Sequence, residues 1–212
     1  MNRKNKFLKI TNFIALLFCV SFINAQNIDI NTLRDINVNR NTSLDPTFKV
    51  VTHSVLPVSV ATPILIYTVG LINKDSSIKN QALFIGKTVL VSAFITTALK
   101  YSIKRERPFD SYADIEKVTA APGYSFPSGH TSTAFVTATS LSMEYPKWYV
   151  IAPSFVWASA VGYSRMHLGA HYPSDVAVGA IIGSGSAYLS YKANKWINKK
   201  RANKQKQLEP IE

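Results

Sequence analysis

The chain has 212 residues, 47% of them hydrophobic, which is enough for one domain with a real core and too little for two comfortable ones. Its formal net charge of +12 admits an anionic membrane surface or nucleic acid as partner, but much of that charge sits at the two ends. The basic end stretch (Lys192, Lys195, Lys199, Lys200, Arg201, Lys204, Lys206) offers only Trp196 to stack on bases, which argues against nucleic acid and for a tail lying at a lipid surface.

Residues 1–25 carry Arg3, Lys4, Lys6 and Lys9 around the start of an apolar run and end on the small Ala25, the pattern of a signal peptide. Ile23 fits the small-residue cleavage rule poorly, so an uncleaved anchor helix is the alternative; in both cases the chain is exported or inserted. The sole cysteine, Cys19, has no partner for an intrachain disulfide and follows the bulky Phe18, which does not suit a lipoprotein cleavage site. Residues 26–50 form a polar segment rich in Asn, Asp and Thr, read as a loop or short surface helix with no assigned chemistry. A helical domain is expected over residues 51–197, built from five apolar stretches, Val51–Ile72, Ala82–Leu99, Thr131–Met143, Trp148–Tyr163 and Val176–Tyr191. They run too long for strands, and the breaks between them carry Pro, Asn, Asp and Lys. Residues 198–212 are a basic tail.

The fold class expected is an all-α bundle, with five transmembrane helices after a cleaved signal peptide or six with an anchor. Trp148, Tyr149, Tyr188, Tyr191 and Trp196 lie near the ends of apolar runs, where interface anchors belong. Counted from an outward-facing mature N-terminus, the turns holding Lys74 and Lys79 and Glu144–Lys147 fall with the basic tail on the cytoplasmic side. Against a membrane stand a mean hydropathy of only +0.05 and runs shorter than the roughly 20 residues of a span, so a soluble helical bundle is the alternative.

Three polar islands interrupt this apolar pattern, and the expected topology gathers them at one mouth of the bundle: Lys100–Pro108 (KYSIKRERP), Tyr124–His130 (YSFPSGH) and Ser164–Asp175 (SRMHLGAHYPSD). Lys100, Arg107 and Arg165 supply three positive charges, the arginines as planar forks and the lysine as a point charge, as a phosphoryl group with charge spread over its oxygens requires. Ser128 falls at a helix cap, where its hydroxyl and the N–H groups of Gly129 and His130 can face an anion. The combination K-x6-R-P, P-S-G-H and S-R-x5-H-x3-D resembles the three-part signature of the type 2 phosphatidic acid phosphatase family, shared by bacterial acid phosphatases and vanadium haloperoxidases. Lys100, Arg107, Pro108, Pro127, Ser128, Gly129, His130, Ser164, Arg165, His171 and Asp175 match it without departure.

The resemblance implies that His171 takes the phosphoryl group and Asp175 accepts a hydrogen bond from its other ring nitrogen, while His130 protonates the departing oxygen. It implies a lipid phosphate or diphosphate substrate at the periplasmic face of a membrane, with no cofactor and no metal. A soluble periplasmic acid phosphatase, a vanadate-dependent haloperoxidase and a non-catalytic phosphate-binding membrane protein are the other readings, and the oligomeric state is left open. His53 and His167 lack companions at ligand spacing and are read as structural or solvent-facing. Lys104, Arg105 and Glu106 are read as a solvated or headgroup-facing surface, with Lys104 or Arg105 as candidates to assist a second phosphate. Phe109, Tyr112, Tyr124 and Phe126 either cover the site or pack as ordinary loop residues. Gly179, Gly183 and Gly185 are expected where the last helix packs closely on a neighbour.

Overall fold

The computed structural model describes residues 27–208, so the signal or anchor segment, Cys19 and the last four residues of the tail lie outside the described residues. Helix α1 covers 27–37. A short 3-10 turn, Thr42–Leu44, leads into α2 (Asp45–His53), α3 (Val55–Ile72), α4 (Ser76–Ile103), α5 (Pro108–Ser111), α6 (Gly129–Glu144), α7 (Trp148–His167) and α8 (Pro173–Leu208). No strand occurs among the described residues.

All five expected helices are present, as α3, α4, α6, α7 and α8, and polar residues set their limits. Asp75 accepts from the backbone N–H of Ser77 at 2.7 Å and of Ile78 at 3.2 Å, which starts α4 six residues before its apolar run. Lys104, in the left-handed region at φ 52°, ends it. Beyond Tyr191, α8 continues to Leu208 through Lys, Arg, Gln and Ala, residues that favour helix over solvated coil.

The runs Thr42–Ile72 and Ser76–Ser111 are long and apolar enough to cross a bilayer, and only 17% and 33% of their apolar windows are buried. Leu56, Ile64, Leu65, Ile72, Leu90 and Phe94 are all more than half exposed on them, an apolar surface that belongs in lipid rather than water. The remaining three helices do not pass the same test of length and composition. What holds them is packing. Helix α6 touches α3, α4, α7 and α8, and its buried positions are all small or β-branched: Thr131, Ser132, Ala134, Val136, Thr137, Ala138 and Ser140.

Hydroxyls join α6 to its neighbours. Ser132 Oγ lies 2.7 Å from Thr96 Oγ1 and 3.2 Å from Ser92 Oγ on α4, Thr137 Oγ1 donates to Ser59 Oγ on α3 at 2.9 Å, and Thr139 Oγ1 to Ser184 Oγ on α8 at 3.2 Å. Against α8 the approach is closer still. A Cβ at Gly179 would stand 2.7 Å from the Ser128 carbonyl oxygen, and one at Gly183 would stand 2.8 Å from the Val136 nitrogen. Gly185 departs from the expectation: a Cβ there meets nothing within 4 Å, because two residues past Gly183 the helix has turned to its other face.

The segment before the bundle is packed rather than a surface appendage. Ile30 and Leu33 of α1 are buried with Ile115 and Tyr172. Asn37, fully buried, donates to the carbonyls of His167 at 2.9 Å and Glu116 at 3.2 Å and accepts from the Glu116 N–H at 2.8 Å. One amide thereby ties the α5–α6 loop to the end of α7.

Candidate active site

The three polar islands meet at one end of the bundle. Lys100 lies in the last turn of α4, Arg107 and Pro108 at the start of α5, Ser128–His130 at the start of α6, Arg165 in the last turn of α7, His171 in the loop after it, and Asp175 in the first turn of α8.

Arg107, 4% exposed, binds these loops together. Its guanidinium donates to the carbonyls of Gly123 at 2.8 Å, Pro122 at 2.9 Å and Ala170 at 2.7 Å, and its Nη1 stands 3.3 Å from His171 Nε2. A guanidinium has no acceptor, so Nε2 carries the lone pair in this contact and the ring proton resides on Nδ1. Nδ1 faces Asp175 Oδ2 at 3.4 Å. The arrangement turns the electron pair of the ring, on Nε2, toward a cation, in a long contact that an incoming anion would have to displace. Burial pushes the His171 ring down to about 3, against the pull of Asp175 and with help from Arg165 and Arg107, so the ring is neutral.

Asp175, fully buried, is held from all sides. Its Oδ2 accepts from the Tyr172 N–H at 3.0 Å and from the Ser125 hydroxyl, and its Oδ1 from Arg105 Nη1 at 2.7 Å. Its backbone carbonyl accepts from the Ser128 N–H at 3.0 Å, joining the second island to the third. Arg105 stacks on Tyr172 at 3.8 Å and pairs through Nη2 with Asp29 of α1 at 2.7 Å; Asp29 in turn accepts from the Ser174 N–H at 2.8 Å. Arg105 is therefore not part of a solvated surface, nor free for a second phosphate, because both ends of its guanidinium are committed to carboxylates.

Arg165 is 2% exposed. Its Nη1 donates to Thr52 Oγ1 of α2 at 2.7 Å, while its buried Nε has no acceptor among the described residues. A buried charged donor left unpaired costs about 1–3 kcal/mol or more, a cost that an anion's oxygen would remove. Lys100 donates to the carbonyls of Tyr124 at 2.6 Å and Ser125 at 3.3 Å. Ser128 caps α6 through Thr131, its Oγ 2.8 Å from Thr131 Oγ1. A Cβ at Gly129 would meet only Lys100 Cε at 3.9 Å, so protein contacts do not demand glycine there. His130 is half-buried and shares with Lys100 and Gly129 the polar end of an open groove of about 360 Å³, whose apolar walls are Val55, Leu56 and Ala93.

The other singled-out residues lie apart. His167 is buried beside Asp45, Nε2 to Oδ1 2.8 Å, and stacks on Phe48, while His53 is exposed. Phe109 and Tyr112 pack on the cluster under α1, and Tyr124 packs edge-on against Tyr101, as loop residues do. Asp29 and Thr52, which serve Arg105 and Arg165, carry no sequence signal: each acts on a side chain 76 or 113 residues away. Ser125, which serves Asp175, lies within the second island, but only the structure gives it that partner.

The sequence profile of the PAP2 superfamily matches residues 81–199, which takes in all three islands and every helix from α4 onward except the two ends. The chain belongs to the PAP2 superfamily. Over 111 residues it is 35% identical to an undecaprenyl-diphosphatase of Sulfolobus acidocaldarius, covering 50% of this chain and 53% of that protein. A lipid A 1-phosphatase of Rhizobium johnstonii is 32% identical over 131 residues, 55% of this chain and 52% of that one. The chain thus spans about half the length of these curated relatives. The crystal structure of Aquifex aeolicus LpxE superposes with a TM-score of 0.66 at 28% identity, covering 78% of this chain and 95% of that one. The first transmembrane PAP2 type phosphatidylglycerolphosphate phosphatase from Bacillus subtilis gives 0.67 at 24% identity over 89% and 96%, a likeness of fold. In this PAP2 chain the superfamily match begins within α4, so Asp29 and Thr52 lie outside it.

Proposed function

We propose that this PAP2 protein hydrolyses a lipid phosphate monoester or diphosphate through a phosphohistidine at His171, at the periplasmic face of a membrane. The observation that carries this reading is the ordered line Arg107, His171, Asp175: the Nε2 lone pair turned toward a guanidinium, with a buried carboxylate behind Nδ1. Nε2 attacks phosphorus in line, the bond from phosphorus to the ester oxygen breaks, and Asp175 steadies the positive ring that results. Arg107, Arg165, Lys100 and the N–H groups capped by Ser128 neutralise charge on the three equatorial oxygens. His130 gives its proton to the leaving alkoxide, then takes one from the water that attacks the N–P bond, releasing phosphate and restoring His171. The side chains themselves supply the positive charge, so the reading calls for neither metal nor cofactor.

An amphiphilic substrate is supported by the groove from Lys100 and His130 down to Val55, Leu56 and Ala93, which leaves an apolar tail on the lipid-facing side of α3 and α4. The names of the relatives, an undecaprenyl-diphosphatase and a lipid A 1-phosphatase, point the same way. Orientation rests on charge: Lys74, Lys79 and the lysines of α8 stand at the end of the bundle opposite the site, as the excess of cations on cytoplasmic segments requires.

Leaving-group dependence tests the two histidines. His171→Ala should abolish turnover of both an alkyl lipid phosphate and nitrophenyl phosphate, since no leaving group replaces a nucleophile. His130→Ala should lose on the order of 10² to 10⁴ on the alkyl ester and clearly less on the aryl one, whose oxygen leaves without a proton. Equal losses on both esters for His130→Ala, with aryl activity retained in His171→Ala, would refute these roles.

A further inference from the structure

Far from the site, Lys87 stands exposed in the middle of α4, about 20 Å from Lys100 along the helix and about 16 Å from its start at Ser76. An ionisable side chain at that depth in an apolar helix has a reason to be there. It lines a recess of about 620 Å³ between α4 and α8, whose polar groups are Asn80, Lys87 and Thr88 from one helix, the Thr88 hydroxyl being committed to the Ile85 carbonyl, and Ser190 and Asn194 from the other. Asn80, Leu83, Phe84 and Lys87 follow the spacing of a single helix face. Side chains lean toward the start of their helix, so the Lys87 ammonium is carried toward Asn80, away from the catalytic end.

A second recess adjoins the first and shares Leu83 and Lys87 with it. This groove, about 490 Å³, runs between α3 and α4 along Val60, Pro63, Ile64 and Leu90, and it is almost wholly apolar. No Asp or Glu lines either recess, while Lys79, Lys192 and Lys195 flank their polar residues in the chain. A cation and two amides at one end, an apolar trough at the other and a surrounding excess of positive charge are together complementary to an anionic amphiphile.

We propose that this seam binds an anionic phospholipid of the leaflet opposite the active site, its phosphate between Lys87, Asn80 and Asn194 and one acyl chain in the groove between α3 and α4. The proposal rests on the bilayer placement of α3 and α4 and not on the phosphatase reading. It assigns the deep lysine a counter-charge, and it covers the unpacked apolar side of α4.

The test uses the full chain in detergent, stripped of lipid and analysed by native mass spectrometry with phosphatidylglycerol, phosphatidylcholine or glycerol 3-phosphate added. Phosphatidylglycerol, a phosphodiester, should be retained over phosphatidylcholine; Lys87→Gln should weaken that retention about tenfold, the worth of one modest ionic contact, and Lys87→Arg should restore it. Asn194→Leu should weaken it as well, and turnover of nitrophenyl phosphate should be unchanged in all three variants. Equal retention of the two lipids, full retention in Lys87→Gln, or displacement of the lipid by glycerol 3-phosphate would overturn the proposal. A wild-type chain that holds phosphatidylglycerol in this pattern yet hydrolyses no phosphate ester would support the proposal and count only against the catalytic reading.

Discussion

Replacing Gly179 by alanine puts the packing of α8 and the geometry of the site into one experiment. The new Cβ would stand 2.7 Å from the Ser128 carbonyl oxygen, where ordinary van der Waals contact begins at 3.4 Å, so helix and cap must separate by roughly 0.7 Å. Backbone cannot swing aside as a flexible side chain can. Overpacking of this kind costs about 1–3 kcal/mol, offset in part by the 0.5–1 kcal/mol that alanine gains over glycine in a helix. The net loss of stability is then about 0–2.5 kcal/mol, a fall of at most several degrees in Tm. Activity should suffer more, because Ser128 is joined to Asp175 through the backbone and a displacement near 1 Å at a reacting centre costs on the order of 10² in rate. We therefore expect kcat/KM on a lipid phosphate to fall 10- to 100-fold while the detergent-solubilised protein melts within several degrees of wild type. Gly185→Ala is the control, since its Cβ meets nothing and should leave both quantities unchanged or raise Tm slightly. Equal activity in the two variants would refute the coupling between helix contact and site.

Asp29→Ala removes the partner of Arg105 and the acceptor of the Ser174 N–H, and should lower stability by about 1–3 kcal/mol in a thermal melt while Arg105 still holds Asp175. Arg165→Lys loses the fork that binds Thr52 and leaves Nε inward, so kcat/KM should fall at least about 10²-fold even though the charge is kept; a loss under threefold would count against a bidentate role. The pH dependence of stability follows from His171, whose folded-state value near 3 lies below the usual 6.5. Between those limits the unfolded chain takes up a proton that the folded one does not, so this group's contribution is complete above about pH 6.5 and is lost as pH falls toward 3, at up to about 1.4 kcal/mol per unit. Tm of the wild type should accordingly drop more steeply than that of His171→Gln between pH 6.5 and 4, and parallel curves would refute a buried neutral ring.

Much of this geometry is legible in the residues themselves, and the reason is the contrast between polar islands and apolar runs. Lys100, Ser128, Arg165 and Asp175 each fall within one turn of a helix end, so knowing where the apolar runs stop is nearly enough to know where the side chains gather. Gly179 and Gly183 are legible for a related reason, being four apart in a helix that must lie against another. The misses have a different character. Asp29 and Arg105 are 76 residues apart, Thr52 and Arg165 are 113, and no periodicity relates them. A charge run such as KRER says nothing of which cation turns inward; only the left-handed break at Lys104 sends Arg105 toward Asp175 and α1. Asn37 is hidden likewise, one amide among many in a polar segment, distinguished only by its complete burial between two loops.

Helix α6 also sets conditions on how the protein is made. Seven of its sixteen residues carry hydroxyls, and at about 24 Å it is short of the roughly 30 Å of a hydrocarbon core, so it has little tendency to leave a translocation channel for lipid alone. Its hydroxyls find hydrogen-bond partners on α3, α4 and α8, which means that two partners precede it in synthesis and the third follows. The three-residue turn at Tyr145–Lys147 joins it to α7, so the two form a helical hairpin that follows α3 and α4 in synthesis. On the proposed mechanism catalytic competence is then the last event of biogenesis, because Asp175 reaches His171 only when α8 closes over α6, and a chain truncated before α8 should hold a half-built cradle of cations and turn over no phosphate ester.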